Sequence, residues 1–186
     1  EPDPSELDPQ RELSVSISWS IPVRYENGPH DCESVAVDVR EGLVYLLQKR
    51  ILPNPLFVLP LRPAAPGPAP VAKEVVKVDH IPQPNSQQRA FPVATGRWRG
   101  NPTAIDIAAD GLCALVLTYG DVLLFPRQPG ETWARAFSRR PVVLPAHGLE
   151  QAEAACFSAD GKAVFVTEER LHAPLLRYDL APLPAP

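Results

Sequence analysis

The sequence predicts an all-β fold, namely a partial β-propeller of three four-stranded antiparallel blades, roughly half of a six- or seven-bladed ring. Three segments with the same pattern support this prediction. Each has a strand-like run, an acidic residue followed by glycine, and a second strand-like run; the segments span residues 33–50, 103–119 and 153–169. A small sheet repeated along a chain is typical of propellers, in which neighbouring blades bury each other's apolar faces.

Turn residues and proline agree with this fold class. Asp110-Gly111 and Asp160-Gly161 lie between the two strand-like runs of their segments, which is the pattern of tight β-hairpins. Glu41-Gly42 marks the same turn in the first segment, one residue later. The chain of 186 residues contains 24 prolines, a frequency that disfavours long helices and central strands. We therefore expect short strands joined by stiff connections.

The predicted elements follow the chain in a regular order. Residues 1–11 are rich in proline and acidic side chains and are expected to be a flexible terminus. Alternating polar and apolar residues predict a half-buried strand over 12–25. A single propeller domain is expected over 12–181, with blades at about 31–81, 103–146 and 153–180. The predicted blade strands are 33–38, 43–48, 55–61, 71–81, 103–108, 113–118, 121–126, 140–146, 153–158, 163–168 and 174–180.

The predicted ring is incomplete. The third blade has no predicted fourth strand, and the strand over 12–25 could complete it or belong to a blade before the first. Because three blades do not close a ring, the open blade edge needs a cover. The candidate covers are a missing N-terminal half of the protein, a second chain, or a homo-oligomer of this chain. The first is favoured, because the sequence lacks methionine and opens with Glu1-Pro2.

Composition excludes several classes of function. With 18 basic and 22 acidic residues the chain carries a net charge of −4 and has no basic stripe, so we do not expect nucleic-acid binding. No apolar run is long enough to predict a transmembrane segment. The sequence contains no zinc motif, nucleophile elbow or glycine-rich phosphate loop. Cys113 and Cys156 lie in predicted strands and are expected to be small buried core residues.

Polar residues recur at one end of each repeat. Because the second strand of a hairpin runs antiparallel to the first, the residue that opens the first strand lies beside the residue that closes the second. We therefore expect these side chains to gather at the mouth of the propeller tunnel and to form a ligand-binding site. The predicted ligand-binding residues are Glu33, Lys49, Arg50, Thr118, Tyr119, Glu153 and Glu168.

Carboxylates in this region suggest Ca²⁺ as a candidate cofactor, since this ion takes oxygen ligands. The predicted metal ligands are Asp31, Glu33, Asp106 and Glu153. Lys49 and Arg50 would bind an anionic group of a ligand. The alternative is an internal ion-pair network without any ligand. Its members would be Glu33, Glu153, Lys49, Arg50 and Arg170.

One further candidate lies in a predicted loop. The run Arg97-Trp98-Arg99 combines an aromatic ring with two basic side chains. Such a patch could contact a partner or a sugar, or it could pack over the edge of a blade. The sequence leaves both interpretations open.

Several motifs resemble a known bacterial family. They are Asp31-Cys-Glu-Ser-Val-Ala-Val-Asp38, Val44-Tyr-Leu-Leu-Gln-Lys-Arg50, Thr103-Ala-Ile-Asp-Ile-Ala-Ala-Asp-Gly111, Leu117-Thr-Tyr-Gly120 and Glu153-Ala-Ala-Cys-Phe-Ser-Ala-Asp-Gly161. The family comprises secreted or lipid-anchored β-propeller proteins, many described as esterase-like phytase-type proteins. The resemblance covers about residues 30–180 and corresponds to the C-terminal half of those proteins. It implies a propeller fold and an extracytoplasmic location, either periplasmic, lipid-anchored or secreted, but says little about chemistry.

Two functions follow as alternatives. A binding or scaffold propeller is favoured, because no complete catalytic set is visible and the open blade edge invites a partner. The alternative is a metal-assisted hydrolase of phosphate or carboxylic esters. It is indicated by the acidic residues of the expected tunnel mouth together with the family resemblance.

Overall fold

The computed structural model describes residues 14, 16–17, 20–62 and 68–180. The expected flexible terminus at 1–11 and much of the strand predicted over 12–25 lie outside these residues. The elements of the described part are β1 (Arg24–Tyr25), β2 (Ser34–Asp38), β3 (Leu43–Leu47), β4 (Asn54–Pro60), β5 (Val71–Val78), α1 (Ser86–Arg89), β6 (Pro102–Ile107), β7 (Cys113–Thr118), β8 (Val122–Pro126), α2 (Trp133–Phe137), β9 (Val142–Val143), β10 (Ala152–Phe157), β11 (Ala163–Glu168) and β12 (Leu176–Asp179).

The strands form three sheets in chain order. The first sheet has the order β1-β5-β4-β3-β2, the second β6-β7-β8-β9, and the third β10-β11-β12. Neighbours are antiparallel except for β1, which joins β5 in parallel. The all-β class and the antiparallel sheets are confirmed. The expectation of four strands in every blade is wrong for the described residues, since the first sheet has five strands and the third has three.

The hairpins between the two inner strands of each sheet use the predicted turn residues. Gly42, Gly111 and Gly161 adopt φ values of 65°, 67° and 69°, a region that favours glycine because it has no Cβ. The Asp110 carboxylate accepts a hydrogen bond from the backbone N–H of Leu112 at 2.9 Å. The acidic-Gly pairs are therefore turn formers.

The sheets pack face to face through two cores, with the second sheet in the middle. The first core joins the first and second sheets and includes α2, whose Trp133 and Phe137 are fully buried. The second core joins the second and third sheets around residues such as Leu117 and Val166. Inner strand β6 contacts both β2 and β10, so the three inner strands are neighbours. This arrangement brings equivalent ends of the three sheets together.

A third, smaller core lies on the face of the first sheet that points away from the second sheet. It contains Leu46, Phe57, Leu59 and Ala72, and Tyr25 and Cys32 pack against it. The rings of Tyr25 and Phe57 meet edge-on with centroids 4.9 Å apart. The segment around β1 thus covers the outer part of this face.

Two other local predictions need correction. Within the described residues, the strand predicted over 12–25 is limited to Arg24–Tyr25. The outer strand predicted over 140–146 is limited to Val142–Val143. Its neighbours Pro141 and Pro145 have no N–H to donate to a sheet, which explains the short length.

Helix α2 was not anticipated and depends on buried aromatic residues. The hydroxyl of Thr132 caps it by accepting from the N–H of Arg135 at 3.3 Å. Five residues are too few for a stable isolated helix, so packing of Trp133 and Phe137 stabilises it. Among the described residues, no helix has the length and apolar character required to cross a bilayer.

Candidate ligand site at the mouth

Equivalent ends of the three inner hairpins meet at one end of the molecule, which we call the mouth. Strand pairing places Ser34 opposite Leu47, Pro102 opposite Thr118, and Ala152 opposite Glu168. The side chains that flank these pairs therefore belong to three different sheets but share one location. The three hairpin ends therefore lie together, and the individual residues there have different roles.

A chain of hydrogen bonds crosses the mouth from sheet to sheet. The Lys49 ammonium group donates to the carboxylate of Glu33 and to the hydroxyl of Tyr119, the latter at 2.9 Å. The Tyr119 hydroxyl donates in turn to Oε1 of Glu153 at 2.8 Å. Lys49 follows β3, Tyr119 follows β7, and Glu153 lies in β10. The network therefore links all three sheets.

Burial and hydrogen bonding determine the charges in this network. Burial lowers the pKa of Lys49, but its hydrogen bonds to Glu33 and Tyr119 outweigh that effect and hold the pKa above its ordinary value. Burial raises the pKa of Tyr119, the Lys49 bond opposes this, and the bond to Glu153 adds to it. At neutral pH Lys49 is therefore a cation and Tyr119 a neutral phenol. An ammonium group has three N–H donors, and two are used here.

A pocket of about 560 Å³ opens beside the network. Its walls include three basic side chains, Lys49, Arg50 and Arg170. Each is anchored through one nitrogen to a carboxylate: Lys49 to Glu33, Arg50 Nε to Asp31 at 2.5 Å, and Arg170 Nε to Glu168 at 2.7 Å. Among the described residues, the Arg50 side chain donates through Nε, and the Nη groups of both arginines make no hydrogen bond. Glu150, Glu168 and Glu169 line the same pocket, so its three cations lie beside an equal number of carboxylates.

Trp98 supplies an aromatic wall of the same pocket and is 38% exposed. The guanidinium of Arg97 lies 6.0 Å from its ring centroid. Arg99 instead turns inward, where Nη2 donates to Oδ1 of Asp121 at 2.5 Å. A Cβ on Gly120 would lie 2.6 Å from Cγ of Arg99, so glycine there lets the Trp98 loop approach the turn between β7 and β8. This loop is therefore attached to the second sheet.

The predicted ligand-binding residues separate into three groups. Pocket-lining residues are Lys49, Arg50, Tyr119 and Glu168. Glu33 and Glu153 contact that wall through the hydrogen-bond network. Thr118 is fully buried, and its hydroxyl accepts from the N–H of Asp121 at 2.9 Å. Thr118 therefore stabilises a turn and does not line the pocket.

The strand register shows which residues at the mouth are equivalent in the three sheets. Ser34, Ala104 and Ala154 are equivalent, and they pair with Leu47, Leu117 and Thr167. The positions equivalent to Lys49 are therefore Tyr119 and Glu169. Irregular pairing near Pro102 and Ala152 shifts the register of β6 and β10, a feature that β2 lacks. A bulge of this kind is not visible in the residue pattern.

The four predicted calcium ligands are not assembled in one place. Asp31 pairs with Arg50, Glu33 with Lys49, and Glu153 with Tyr119. Asp106 lies within β6, and its Oδ2 accepts from the N–H of Phe157 at 2.8 Å, joining the second and third sheets. Across the described ranges, no group of three or more His, Cys, Asp or Glu side chains is placed to hold a metal ion.

Sequence reasoning missed a buried polar group behind the mouth. His147 is buried, and Nδ1 accepts from the N–H of Leu149 at 3.0 Å. Burial lowers the pKa of His147, which favours the neutral ring. Its Nε2, Oδ2 of Asp121 and Oγ1 of Thr103 have no hydrogen-bond partner among the described residues. An isolated histidine in a Pro-rich connection carries no sequence signal for such burial.

Known structures are similar to this chain in fold at low sequence identity. A putative 6-phosphogluconolactonase from Bacteroides uniformis is 13% identical over 88% of this chain and 42% of its own, with a TM-score of 0.51. A structure from a nidogen–laminin complex is 12% identical over 80% of this chain and 44% of its own, with a TM-score of 0.48. Hydrazine synthase from Kuenenia stuttgartiensis is 14% identical over 80% and 34%, also with a TM-score of 0.48.

The chain therefore spans less than half the length of these structures. No protein-family model matches the chain, and no curated protein matches it in sequence. The likeness to the Bacteroides structure, together with the three packed sheets, supports a propeller-like fold. It supports nothing beyond the fold, because one architecture serves many functions.

Proposed function

We propose that this chain is a propeller-like binding module whose ligand site is the mouth pocket. The observation that carries this proposal is the set of three tethered cations around one cavity that also has an exposed aromatic wall. Concave sites with a partly apolar lining and a few converging polar groups are the usual form of small-molecule sites. The ligand would place an anionic group near Lys49, Arg50 and Arg170.

Ion pairs with carboxylates fix the positions of the three cations at the pocket. Carboxylate partners hold the three side chains at the pocket, so less side-chain entropy is lost when a ligand binds. The remaining N–H donors of Arg50 and Arg170 suit a carboxylate or phosphate group. Trp98 would contact an apolar or planar part of the same molecule. An ion-pair network and a ligand site are therefore two roles of the same residues.

Calorimetry with three small probes tests this proposal. Phenyl phosphate carries an anion and a ring, inorganic phosphate carries the anion alone, and phenol carries the ring alone. We expect saturable binding of phenyl phosphate that is tighter than binding of either fragment. Arg50→Gln and Arg170→Gln should each weaken it about tenfold, because each removes charged hydrogen bonds. Trp98→Ala should weaken it less, by several-fold.

Matched controls separate binding from folding. Lys162→Met removes an exposed lysine from the turn between β10 and β11, at the end of the third sheet opposite the mouth, and should leave probe binding unchanged. Arg50 and Arg170 are exposed, so their variants should remain folded. Binding of phenyl phosphate that is unchanged in both arginine variants and in Trp98→Ala would overturn the proposed site.

The same experiment addresses the hydrolase alternative. Release of phosphate from phenyl phosphate, lost in a Glu33→Gln, Glu153→Gln variant, would favour the metal-assisted hydrolase over the binding module. A rise in melting temperature with Ca²⁺ would restore the calcium prediction. From the family resemblance we also propose an extracytoplasmic location, and fractionation of cells that produce the natural protein tests it.

A further inference from the structure

The inner strands of the three sheets share an alternation that reveals what each face packs against. On each inner strand, every second residue faces the sheet that comes earlier in the chain. Ile105 and Ile107 of β6 pack in the core shared with the first sheet, and Ala155 and Phe157 of β10 pack in the core shared with the second. The strand register makes Val35 and Val37 of β2 the equivalents of these residues. No sheet of the described chain covers them.

The residues between them on each inner strand face the sheet that comes later in the chain. Ala36 of β2 packs in the core shared with the second sheet, and Ala104 of β6 packs in the core shared with the third. Ala154 and Cys156 are the equivalent positions in β10. Both are exposed, so the prediction of a buried Cys156 is wrong, whereas Cys113 is buried as expected. The reason is that β10 has a neighbouring sheet on one side only.

Two faces of the described structure are therefore uncovered. The leading face belongs to the first sheet and presents Val35 and Val37, which are 53% and 36% exposed. The trailing face belongs to the third sheet and presents Ala154 and Cys156. Apolar or small exposed residues alternate with buried ones on β2 and with half-buried ones on β10. An exposed inner strand of this kind is a candidate interface.

The two uncovered faces are complementary to each other. In the first internal junction, small Ala36 lies on one side and the larger Ile105 and Ile107 lie on the other. The trailing face has the small residues of such a junction, and the leading face has the larger, β-branched ones. The charged residues of the trailing face, Arg177 and Asp179, pair with each other at 2.8 Å on outer strand β12. The inner-strand residues of the trailing face, Ala154 and Cys156, carry no charge.

On the leading face, as in the first internal junction, an added segment covers the outer strands. In the first internal junction, α2 fills the space between the outer strands, so the inner strands meet directly. On the leading face, Tyr25 and Cys32 cover the outer residues and leave Val35 and Val37 open. In a junction between the leading and trailing faces, the β1 segment would therefore occupy the space between the outer strands, as α2 does in the first internal junction.

We propose that the leading face of one copy of this chain packs against the trailing face of a second copy. Two copies related by a two-fold axis make this contact twice and close a ring. The chain covers 42% of the Bacteroides structure, so two copies provide about the amount of chain of that fold. The inference is independent of the mouth ligand.

Measurement of the solution mass against concentration tests the proposal. The unmodified chain should double its mass as concentration rises, by sedimentation or light scattering. In an internal junction, Asp106 accepts a hydrogen bond from the N–H of Phe157. The equivalents of these two residues in the new junction are Cys156 of one copy and Val37 of the other, so these two should lie side by side. Val37→Glu should therefore abolish the doubling, because it buries a charge. The control is Val75→Glu, since Val75 is similarly exposed at 38% but lies beside Tyr45 and Trp133, on the side facing the second sheet.

Charge complementation distinguishes a specific contact from misfolding. Cys156→Lys alone should also be monomeric. A mixture of Val37→Glu and Cys156→Lys chains should regain the doubled mass, because one junction then pairs Glu with Lys and the other is unmodified. A monomer at all concentrations, or doubling that survives Val37→Glu, overturns the proposal. The proposal is also overturned if each variant doubles its mass alone and mixing the two variants does not increase the dimer fraction.

Thiol labelling supplies an independent readout. A maleimide should modify Cys156 in dilute protein and modify it more slowly at concentrations where the mass doubles. Cys113 is the internal reference, because burial raises its pKa to about 12 and keeps it unreactive. Peptide mass spectrometry identifies which cysteine reacts. Equal labelling of Cys156 in monomer and dimer would show that the trailing face is not in the contact.

Discussion

The mouth and the opposite end of the inner hairpins, which we call the turn end, differ in how fully their charged groups are paired. At the turn end, the Asp38 carboxylate is 1% exposed and accepts from Nε1 of Trp133 at 2.8 Å and from two backbone N–H groups. Arg127 lies 3.5 Å from Asp38, pairs with Glu41 at 2.5 Å, and stacks 4.0 Å from the Trp133 ring centroid. The side chains of Asp38 and Arg127 are surrounded by protein, while that of Glu41 is 38% exposed.

At the mouth, similar charges are only partly used. Arg50 and Arg170 each have exposed guanidinium groups held by one nitrogen, and three buried polar atoms nearby have no partner among the described residues. The turn end also has a cavity, of about 490 Å³, but its aromatic residues Tyr45 and Trp133 are buried. The comparison shows that ion pairs of the same type can fasten sheets together at one end and leave guanidinium groups exposed at the other.

The largest expected effect is at the turn end. Asp38→Ala leaves buried Arg127 without one of its two carboxylate partners, and removal of one member of a buried pair costs about 3–5 kcal/mol of the free energy of unfolding. Asp31→Ala, at the mouth, breaks an exposed pair with Arg50 and should cost less than about 1 kcal/mol. Urea unfolding of both variants measures the difference. Equal losses in the two variants would remove the distinction between the two ends.

A smaller effect is expected for the network across the mouth. Tyr119→Phe removes the hydroxyl that joins Lys49 to Glu153, and we expect a loss of about 1 kcal/mol. Tyr45→Phe is the matched control, because its hydroxyl makes only a long contact of 3.4 Å with Glu41. Urea unfolding should show the larger loss for Tyr119→Phe. The reverse order would mean that the network does not connect the sheets energetically.

A pH-dependent effect is also expected at the turn end. Hydrogen bonds from Arg139 lower the pKa of Glu131 to about 2, although burial opposes this, so its folded pKa lies below its ordinary value of 4.5. Its contribution to stability is therefore present above pH 4.5 and is lost as the pH falls towards 2. The stability difference between the unmodified chain and Glu131→Gln should shrink over this range in acid titrations of unfolding. A constant difference would contradict the low pKa.

Local patterns predicted the hairpins well and the outer elements poorly. The acidic-Gly turns and the paired inner strands follow from turn chemistry and alternation, which act over a few residues. Helix α2 and the short β9 depend on burial of Trp133 and on the prolines beside Val142, so their extent was not visible in periodicity alone. Cys156 lies in a strand as expected but is exposed, because its neighbour across the face is absent from the described structure.

The sequence by itself determined the class of fold and which end of each repeat would collect polar residues, because strand alternation and antiparallel pairing are properties of short segments. Only the tertiary structure decided which of those residues meet. The bonds from Lys49 to Tyr119 and from Tyr119 to Glu153 join different sheets, and the Trp98 loop reaches the same pocket from a Pro-rich connection. Contacts between distant segments depend on register and packing, and a one-residue bulge in β6 or β10 shifts them without changing the residue pattern.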